Sequence, residues 1–124
     1  LKAPVVDQLS LGEASRLLAQ GAAWLDVRLQ DEYQQAHAAQ ALNMPLHLLR
    51  LKARLLDKER SYICYCDSGK RSANAVYLLA QLGFSAYALR DGYDALPPLQ
   101  RDALLSENGA GYLARSGGRI ERSA

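Results

Sequence analysis

The sequence has few of the residues that build metal sites and disulfide frameworks. Its 124 residues include two cysteines and two histidines. Cys64 and Cys66 are separated by one residue, so a disulfide between them would close a tiny ring and restrain the unfolded chain little. We therefore expect free thiols. His37 and His47 lie far from the cysteines along the chain and lack paired-ligand spacing, which argues against a structural zinc site.

Long apolar runs and a strong excess of charge are also absent. No stretch approaches the roughly 20 apolar residues that span a bilayer, and no secretory signal opens the chain. Fifteen Lys and Arg against thirteen Asp and Glu leave a net charge of +2, too little to favour nucleic acid or an anionic membrane as partner. We expect a cytoplasmic protein that binds neither. Leu1 in place of Met predicts a fragment or a processed product of a longer polypeptide.

The residues that are present fit one packed domain. A length of 124 residues with 49% apolar content is enough for one hydrophobic core. Strand-like and helix-like segments alternate, which predicts an α/β domain with a mostly parallel central sheet flanked by helices. A short apolar stretch lies around Val5 and Val6, and the expected strands are 24–27, 41–44, 62–66 and 84–89. The expected helices run from a capping box at Ser10 and Glu13 to Gly21, over 31–36, from Pro45 in the first turn, and over 72–82.

The loop after strand 62–66 concentrates reactive groups. Cys66 ends that strand, and ligands of parallel sheets bind beyond the carboxyl ends of the strands. The helix start that follows offers converging backbone N–H groups and a positive dipole end, which favour an anion. Lys70 and Arg71 add two cations that lower a cysteine pKa, and Gly69 permits the tight turn. These features predict that Cys66 is a nucleophile.

The simplest alternative is that Cys66 is a small buried core residue, as most free cysteines are. The coincidence of a strand end, a glycine, two cations and a helix start favours the nucleophile instead. Cys64 has no loop and no cation of its own. We therefore predict that Cys64 is a core residue.

The loop 66–72, Cys-Asp-Ser-Gly-Lys-Arg-Ser, resembles the active-site loop of single-domain rhodaneses, the thiosulfate sulfurtransferase family. The resemblance covers about residues 5–96 and implies a rhodanese-like three-layer fold. From Pro97 the composition changes to prolines and then to glycines among Arg, Ser and Ala, so we expect a rhodanese-like domain, 1–96, and a linker-like C-terminal tail, 97–124, with a short helix over 101–105. The supporting segments, in order, are Asp26-Val27-Arg28 with Glu32-Tyr33, His37 followed by Asn43-Met44-Pro45, and 89–96.

Three departures from the family's pattern concern the pocket rim and the acceptor preference. Residues 38–40 replace the usual Ile-Pro-Gly, Asp91 stands where a glycine is common, and Leu96 stands where Trp is common. The family's pattern implies a structural role, holding the fold together, for Asp26, Arg28 and His37.

The resemblance implies sulfur transfer by double displacement. The Cys66 thiolate attacks the outer sulfur of thiosulfate, sulfite leaves, and a persulfide remains until cyanide, a cellular thiol or a protein thiol accepts the sulfur. Backbone N–H groups of the loop would hold the persulfide, and its two cations would bind the donor. The implied substrate-binding residues are Asp67, Ser68, Gly69, Lys70, Arg71 and Ser72. The chemistry requires no metal or organic cofactor.

Two other functions remain open. In a cysteine phosphatase of similar fold, the loop has one more residue between Cys and Arg. Here Ser72 occupies the position where that loop would carry Arg, and Arg71 comes one residue early, so the loop is too tight for a phosphoryl group. The second alternative is a non-catalytic regulatory or interaction module of a larger protein, which Leu1, the tail and residues 38–40 leave open. An intact Cys66 with both cations favours sulfur chemistry.

Overall fold

A computed structural model describes residues 7–105, which fold around a five-stranded sheet. The strands lie in the order β1-β5-β4-β2-β3, and all four pairings are parallel. The predicted α/β architecture with a parallel sheet is therefore confirmed. The strands are β1 Gln8–Leu9, β2 Ala23–Asp26, β3 Leu42–Asn43, β4 Ser61–Tyr65 and β5 Ser85–Leu89. The apolar stretch around Val5 and Val6 lies outside the described residues.

Five α-helices connect the strands or follow them. Among residues 7–105, none is long and apolar enough to cross a membrane. The helices are α1 Leu11–Ala19, α2 Gln30–Gln35, α3 Leu46–Lys52, α4 Lys70–Gln81 and α5 Pro98–Leu104, with short 3-10 turns at Ala53–Leu55 and Tyr93–Ala95. The sequence predicts Pro45 in the first turn of α3. Pro45 is instead the N-cap residue and lies just before that turn.

Helix α4 begins two residues earlier than the sequence predicts. Gly69, at φ +92°, is the N-cap residue, and its left-handed backbone lets the helix begin at Lys70 and not at Ser72. The two cations expected in the loop therefore lie in the first turn of the helix. The connection between β4 and α4 is correspondingly shorter, only residues 66–69.

The two faces of the sheet are covered by different helices, which gives three layers. Side chains alternate along β4: Tyr62 and Cys64 pack on the face covered by α3 and α4, and Ile63 and Tyr65 pack on the face covered by α1. Cys66, which follows β4, packs on the α3 and α4 face. The Cys66 thiol is thus directed toward the side of the sheet on which α4 begins at Lys70.

The capping box predicted at the start of α1 is present. The backbone N–H of Ser10 donates to Glu13 Oε1 at 2.8 Å, and the backbone N–H of Glu13 donates to Ser10 Oγ at 3.1 Å. These hydrogen bonds fix the chain direction between β1 and α1, because Ser10 alone separates the two elements.

The chain beyond residue 96 forms helix α5, which begins three residues before the expected 101–105. Pro98 occupies the first helical position, where its fixed φ and missing N–H are tolerated. Leu104 and Leu105 are half-buried against the α1 face of the core. Residues 106–124 of the predicted tail lie outside the described part of the chain.

Candidate active site

Cys66 lies directly after β4, and its side chain is surrounded by backbone donors. The N–H groups of Gly69 and Ser72 donate to Sγ at 3.2 and 3.3 Å. The thiol itself lies 3.4 Å from Ser72 Oγ, to which it donates, and that hydroxyl donates to the carbonyl oxygen of Gly69. Because both N–H groups belong to the start of α4, the positive end of the helix is directed at the sulfur. This arrangement stabilises negative charge on Sγ.

The Cys66 side chain is fully buried. The exposed part of the loop consists of Ser68 and Lys70, with Asp67 half-buried. The Ser68 N–H donates to Asp67 Oδ1 at 2.7 Å and is thereby directed away from the sulfur. The sulfur therefore lies beneath the loop, and its hydrogen bonds come from the Gly69 and Ser72 side of it.

A second segment, 91–94, supports the loop from outside. The N–H groups of Tyr93 and Asp94 donate to the carbonyl oxygens of Cys66 (3.1 Å) and Asp67 (2.9 Å). The contact is so close that a methyl group at Gly92 would overlap the Asp67 carbonyl oxygen. The sequence predicts a turn at Asp91 and Gly92, but it does not predict that this turn contacts the loop after β4.

Arg71 does not reach the sulfur, because two carboxylates hold its guanidinium. Nη1 and Nη2 lie 2.7 and 3.1 Å from the two oxygens of Glu32 on α2, and Nη2 lies 3.2 Å from Asp67 Oδ1. The hydrogen bonds with Glu32, and then those with Asp67, raise the pKa of Arg71. Conversely, the hydrogen bond from Arg71 lowers the pKa of Glu32. We call Glu32, Asp67 and Arg71 the ion triad.

Asp67 keeps an ionised carboxylate within this triad. Partial burial opposes its ionisation, but the hydrogen bonds from the Ser68 N–H and from Arg71 outweigh burial and lower the pKa of Asp67. The sequence left open whether Asp67 points to solvent or pairs with a loop cation. The structure places it on Arg71.

Lys70 is the other predicted cation, and its position differs from that of Arg71. It is exposed at the first position of α4 and makes no ion pair with any of residues 7–105.

The structure brings Cys66, Gly69 and Ser72 together and places Asp67 and Arg71 in the ion triad. It leaves Ser68 and Lys70 exposed. Glu32 was missed as a site residue, although the sequence signal was there in the Glu32-Tyr33 pair.

A buried polar network supports the segment 91–94. Arg28 donates to Asp26 Oδ2 at 2.7 Å and to the Tyr93 hydroxyl at 3.1 Å, and the Tyr65 hydroxyl donates to Asp26 Oδ2 at 2.7 Å. The guanidinium carbon of Arg28 also lies 5.2 Å from the centre of the Tyr93 ring. Asp26 is fully buried and Arg28 nearly so. These contacts match the structural role predicted for both residues.

His37 and Cys64 also have structural contacts. The His37 ring stacks on Tyr33 with centroids 3.8 Å apart, and its Nδ1 lies 2.8 Å from the Tyr33 carbonyl oxygen. Cys64 is fully buried in the core, and this burial raises the pKa of its thiol. Within residues 7–105, no three Cys, His, Asp or Glu side chains come together as ligands for a metal ion.

Comparison with known families gives one match that covers most of the chain. The profile described as rhodanese-like domain matches residues 10–96. This range includes every strand from β2 to β5, the loop after β4 and the segment 91–94.

Individual proteins show the same similarity. Thiosulfate sulfurtransferase PspE of Escherichia coli K12 is 34% identical over 64 residues, 50% of this chain and 62% of that protein. Thiosulfate sulfurtransferase GlpE of Coxiella burnetii strain RSA 493 is 34% identical over 70 residues, 56% of this chain and 65% of that protein. The matches thus span just under two thirds of these relatives. A crystal structure of a rhodanese-related protein from Thermoplasma volcanium superposes with a TM-score of 0.65 at 29% identity, covering 69% of this chain and 85% of that one.

Proposed function

The chain belongs to the rhodanese-like domain family, and on that basis we propose that it is a sulfurtransferase that works through a Cys66 persulfide. The observation that carries the proposal is the position of Sγ, which accepts two backbone N–H groups at the start of α4. A core cysteine has no need of such donors. A thiolate, and then the terminal sulfur of a persulfide, would be stabilised by them.

The reaction has two displacements. The Cys66 thiolate attacks the terminal sulfur of thiosulfate, a bond forms between Sγ and that sulfur, and the sulfur–sulfur bond of thiosulfate breaks with its electron pair leaving on sulfite. An acceptor nucleophile then attacks the outer sulfur of the persulfide, and the electron pair of that bond returns to Sγ. We propose a thiol, including a protein thiol, or cyanide as acceptor.

In this proposal, the residues of the loop have different roles, and Gly69 and Ser72 act through their backbone N–H groups. Gly69 and Ser72 stabilise the sulfur anion, and exposed Lys70 meets the incoming donor. Arg71 was expected to bind the donor as well. Because its guanidinium is held by Glu32 and Asp67, we now propose that Arg71 fixes the shape of the loop and does not contact the donor.

Burial of Cys66 adds one requirement to the mechanism. Because Cys66 is fully buried, we propose that the loop 67–70, in which Ser68 and Lys70 are exposed, moves outward before a donor reaches Sγ. Three further points stay predictions. They are the cytoplasmic location, the boundary of the domain at residue 96 and the identity of the natural donor.

Mass spectrometry of the protein after thiosulfate treatment tests the function. We expect one added sulfur on Cys66, absent in Cys66→Ser. The matched control is Cys64→Ala, which removes the neighbouring thiol of the same strand and should keep sulfur uptake and cyanide-dependent turnover. Uptake by a folded Cys66→Ser protein would contradict the assignment, and a folded wild type that takes up no sulfur would favour the non-catalytic module.

A further inference from the structure

We propose that Glu32 and Asp67 are specificity-determining residues that shift the selectivity of the Cys66 site toward sulfur donors with one negative charge and away from donors with two. The inference deepens the proposed function and rests on it. The donor class is that of singly charged sulfane-sulfur compounds, such as thiosulfonates, in which an organic group replaces one anionic oxygen of thiosulfate.

The first step of the argument is the charge of the ion triad. Arg71 carries one positive charge, while Glu32 and Asp67 each carry a negative one, so the group as a whole is an anion. All three side chains are partly exposed, with exposed fractions of 30% for Arg71, 33% for Glu32 and 42% for Asp67. An approaching donor therefore meets the field of the carboxylates as well as that of the guanidinium.

The second step is the position of the triad. Asp67 is adjacent to Cys66, and Arg71 lies in the same helical turn as Ser72, whose N–H donates to Sγ. Cys66 is fully buried, and the exposed residues nearest to it in the chain, Ser68 and Lys70, belong to the loop that we propose the donor crosses. Asp67 and Arg71 of the triad lie within or directly after that loop.

The third step is the charge of the supporting segment. Asp91 and Asp94 are exposed, the backbone of Asp91 lies against Gly69, and the N–H of Asp94 is bonded to the Asp67 carbonyl. The pKa of Glu13 on α1 is lowered chiefly by its hydrogen bonds with Ser10, and the charge of the neighbouring cation Arg90 adds to this effect. The supporting segment therefore adds two exposed acidic residues to Glu32 and Asp67, while Lys70 and Arg71 are the two cations at the start of α4.

The negative charge near the loop acts on each donor in proportion to the charge of that donor. A dianion is repelled by the carboxylates twice as strongly as a monoanion that presents the same sulfur and the same sulfonyl group. Removing one carboxylate should change the relative rates of two such donors by roughly fivefold at low salt. Screening should reduce the effect at high salt, since the side chains are partly exposed.

The test compares thiosulfate with methanethiosulfonate. Both deliver a terminal sulfur to the Cys66 thiolate, and the electron pair of the broken sulfur–sulfur bond leaves on sulfite or on methanesulfinate. We expect Glu32→Gln and Asp67→Asn each to raise the ratio of kcat/KM for thiosulfate over methanethiosulfonate about fivefold at low ionic strength. Using a ratio cancels any change in thiol reactivity. Glu59→Gln, an exposed carboxylate at the opposite end of the sheet, is the matched control and should leave the ratio unchanged.

A second pair of probes requires no sulfur transfer. Iodoacetate and iodoacetamide alkylate Cys66 by the same displacement and differ by one negative charge. Both variants should raise the ratio of the iodoacetate rate to the iodoacetamide rate. Unchanged ratios for both pairs in the folded variants would overturn the inference. A raised alkylation ratio in a protein that forms no persulfide with either donor would support the charge preference and overturn the proposed function.

Discussion

Cys66 and Arg71 belong to one short stretch of chain, yet their side chains have different partners. The sulfur accepts from Gly69 and Ser72, whereas the guanidinium is held by Glu32 and Asp67. The sequence predicts the residues of the first group from local signals, namely a strand end, a glycine and a helix start. It names Asp67 and Arg71 but does not pair Arg71 with Glu32, because Glu32 is 39 residues away in the chain and only the tertiary fold brings them together.

Gly92→Ala should destabilise the protein and reduce sulfur transfer. The φ of +69° is unfavourable for alanine, and the added methyl group would overlap the Asp67 carbonyl oxygen. We expect a loss of at least about 2 kcal/mol in the free energy of unfolding, measured by urea titration. Gly21→Ala is the matched control, since its φ of +107° imposes similar backbone strain while its Cβ would meet no atom within 4 Å. Equal losses for the two variants would mean that the contact between the two segments is unimportant.

The ion triad should make stability depend on pH in the acid range. The pKa values of Glu32 and Asp67 are lower in the folded protein than their ordinary values. Such groups contribute stability above the unfolded pKa, and the contribution is lost as pH falls through the folded pKa. Urea titrations between about pH 6 and pH 3 should show decreasing stability, with a shallower decrease in Glu32→Gln. An equally steep decrease in that variant would assign the pH dependence to other carboxyl groups.

At the scale of helices and strands, the sequence patterns predicted most elements. Strand β4 and the helix after it were expected where they lie, because a short aromatic and β-branched run is followed by apolar residues at helical spacing. The start of α4 was wrong by two residues. Its N-cap is a glycine with a left-handed backbone and no side-chain hydrogen bond, so the usual Ser, Thr, Asp or Asn signal was missing.

The capping box of α1 offers a test at this scale. Ser10→Ala removes the hydroxyl that accepts the Glu13 N–H and should cost about 1 kcal/mol of unfolding free energy. Glu13→Gln keeps a side chain that can still accept from the Ser10 N–H and should cost less. Both variants should retain full sulfur transfer, because α1 packs on the face of the sheet opposite Cys66. Reduced transfer in a stable Ser10→Ala protein would show that the two faces are coupled.

For the whole molecule, the sequence predicted the architecture and left the role of the last helix open. Alternating elements and a family resemblance are enough to specify a three-layer α/β fold, which the parallel sheet confirms. The composition after residue 97 predicts a linker, whereas Leu104 and Leu105 pack against the core. Two leucines in one turn are too short a signal to separate a packed helix from a linker.

Chain truncation tests the proposed boundary at residue 96. A chain that ends at Leu105 should match the full chain in sulfur uptake. A chain that ends at Leu96 should still take up sulfur, but with an unfolding free energy lower by about 1 kcal/mol or more for each half-buried leucine lost. Thermal unfolding followed by circular dichroism, beside persulfide mass spectrometry, measures both. Loss of sulfur uptake in a folded chain ending at Leu96 would place α5 in the active unit.

Burial of Cys66 has a consequence for how long a bound sulfur would survive. Under the proposed mechanism, a sulfur on Cys66 is shielded from solution until the loop moves outward. Cyanide is small and would reach this sulfur after a slight movement, whereas a protein thiol would have to contact the loop and displace it. A loaded protein should therefore keep its sulfur until an acceptor reaches the loop. If the proposed persulfide forms, the domain would act as a protected store for one sulfur atom.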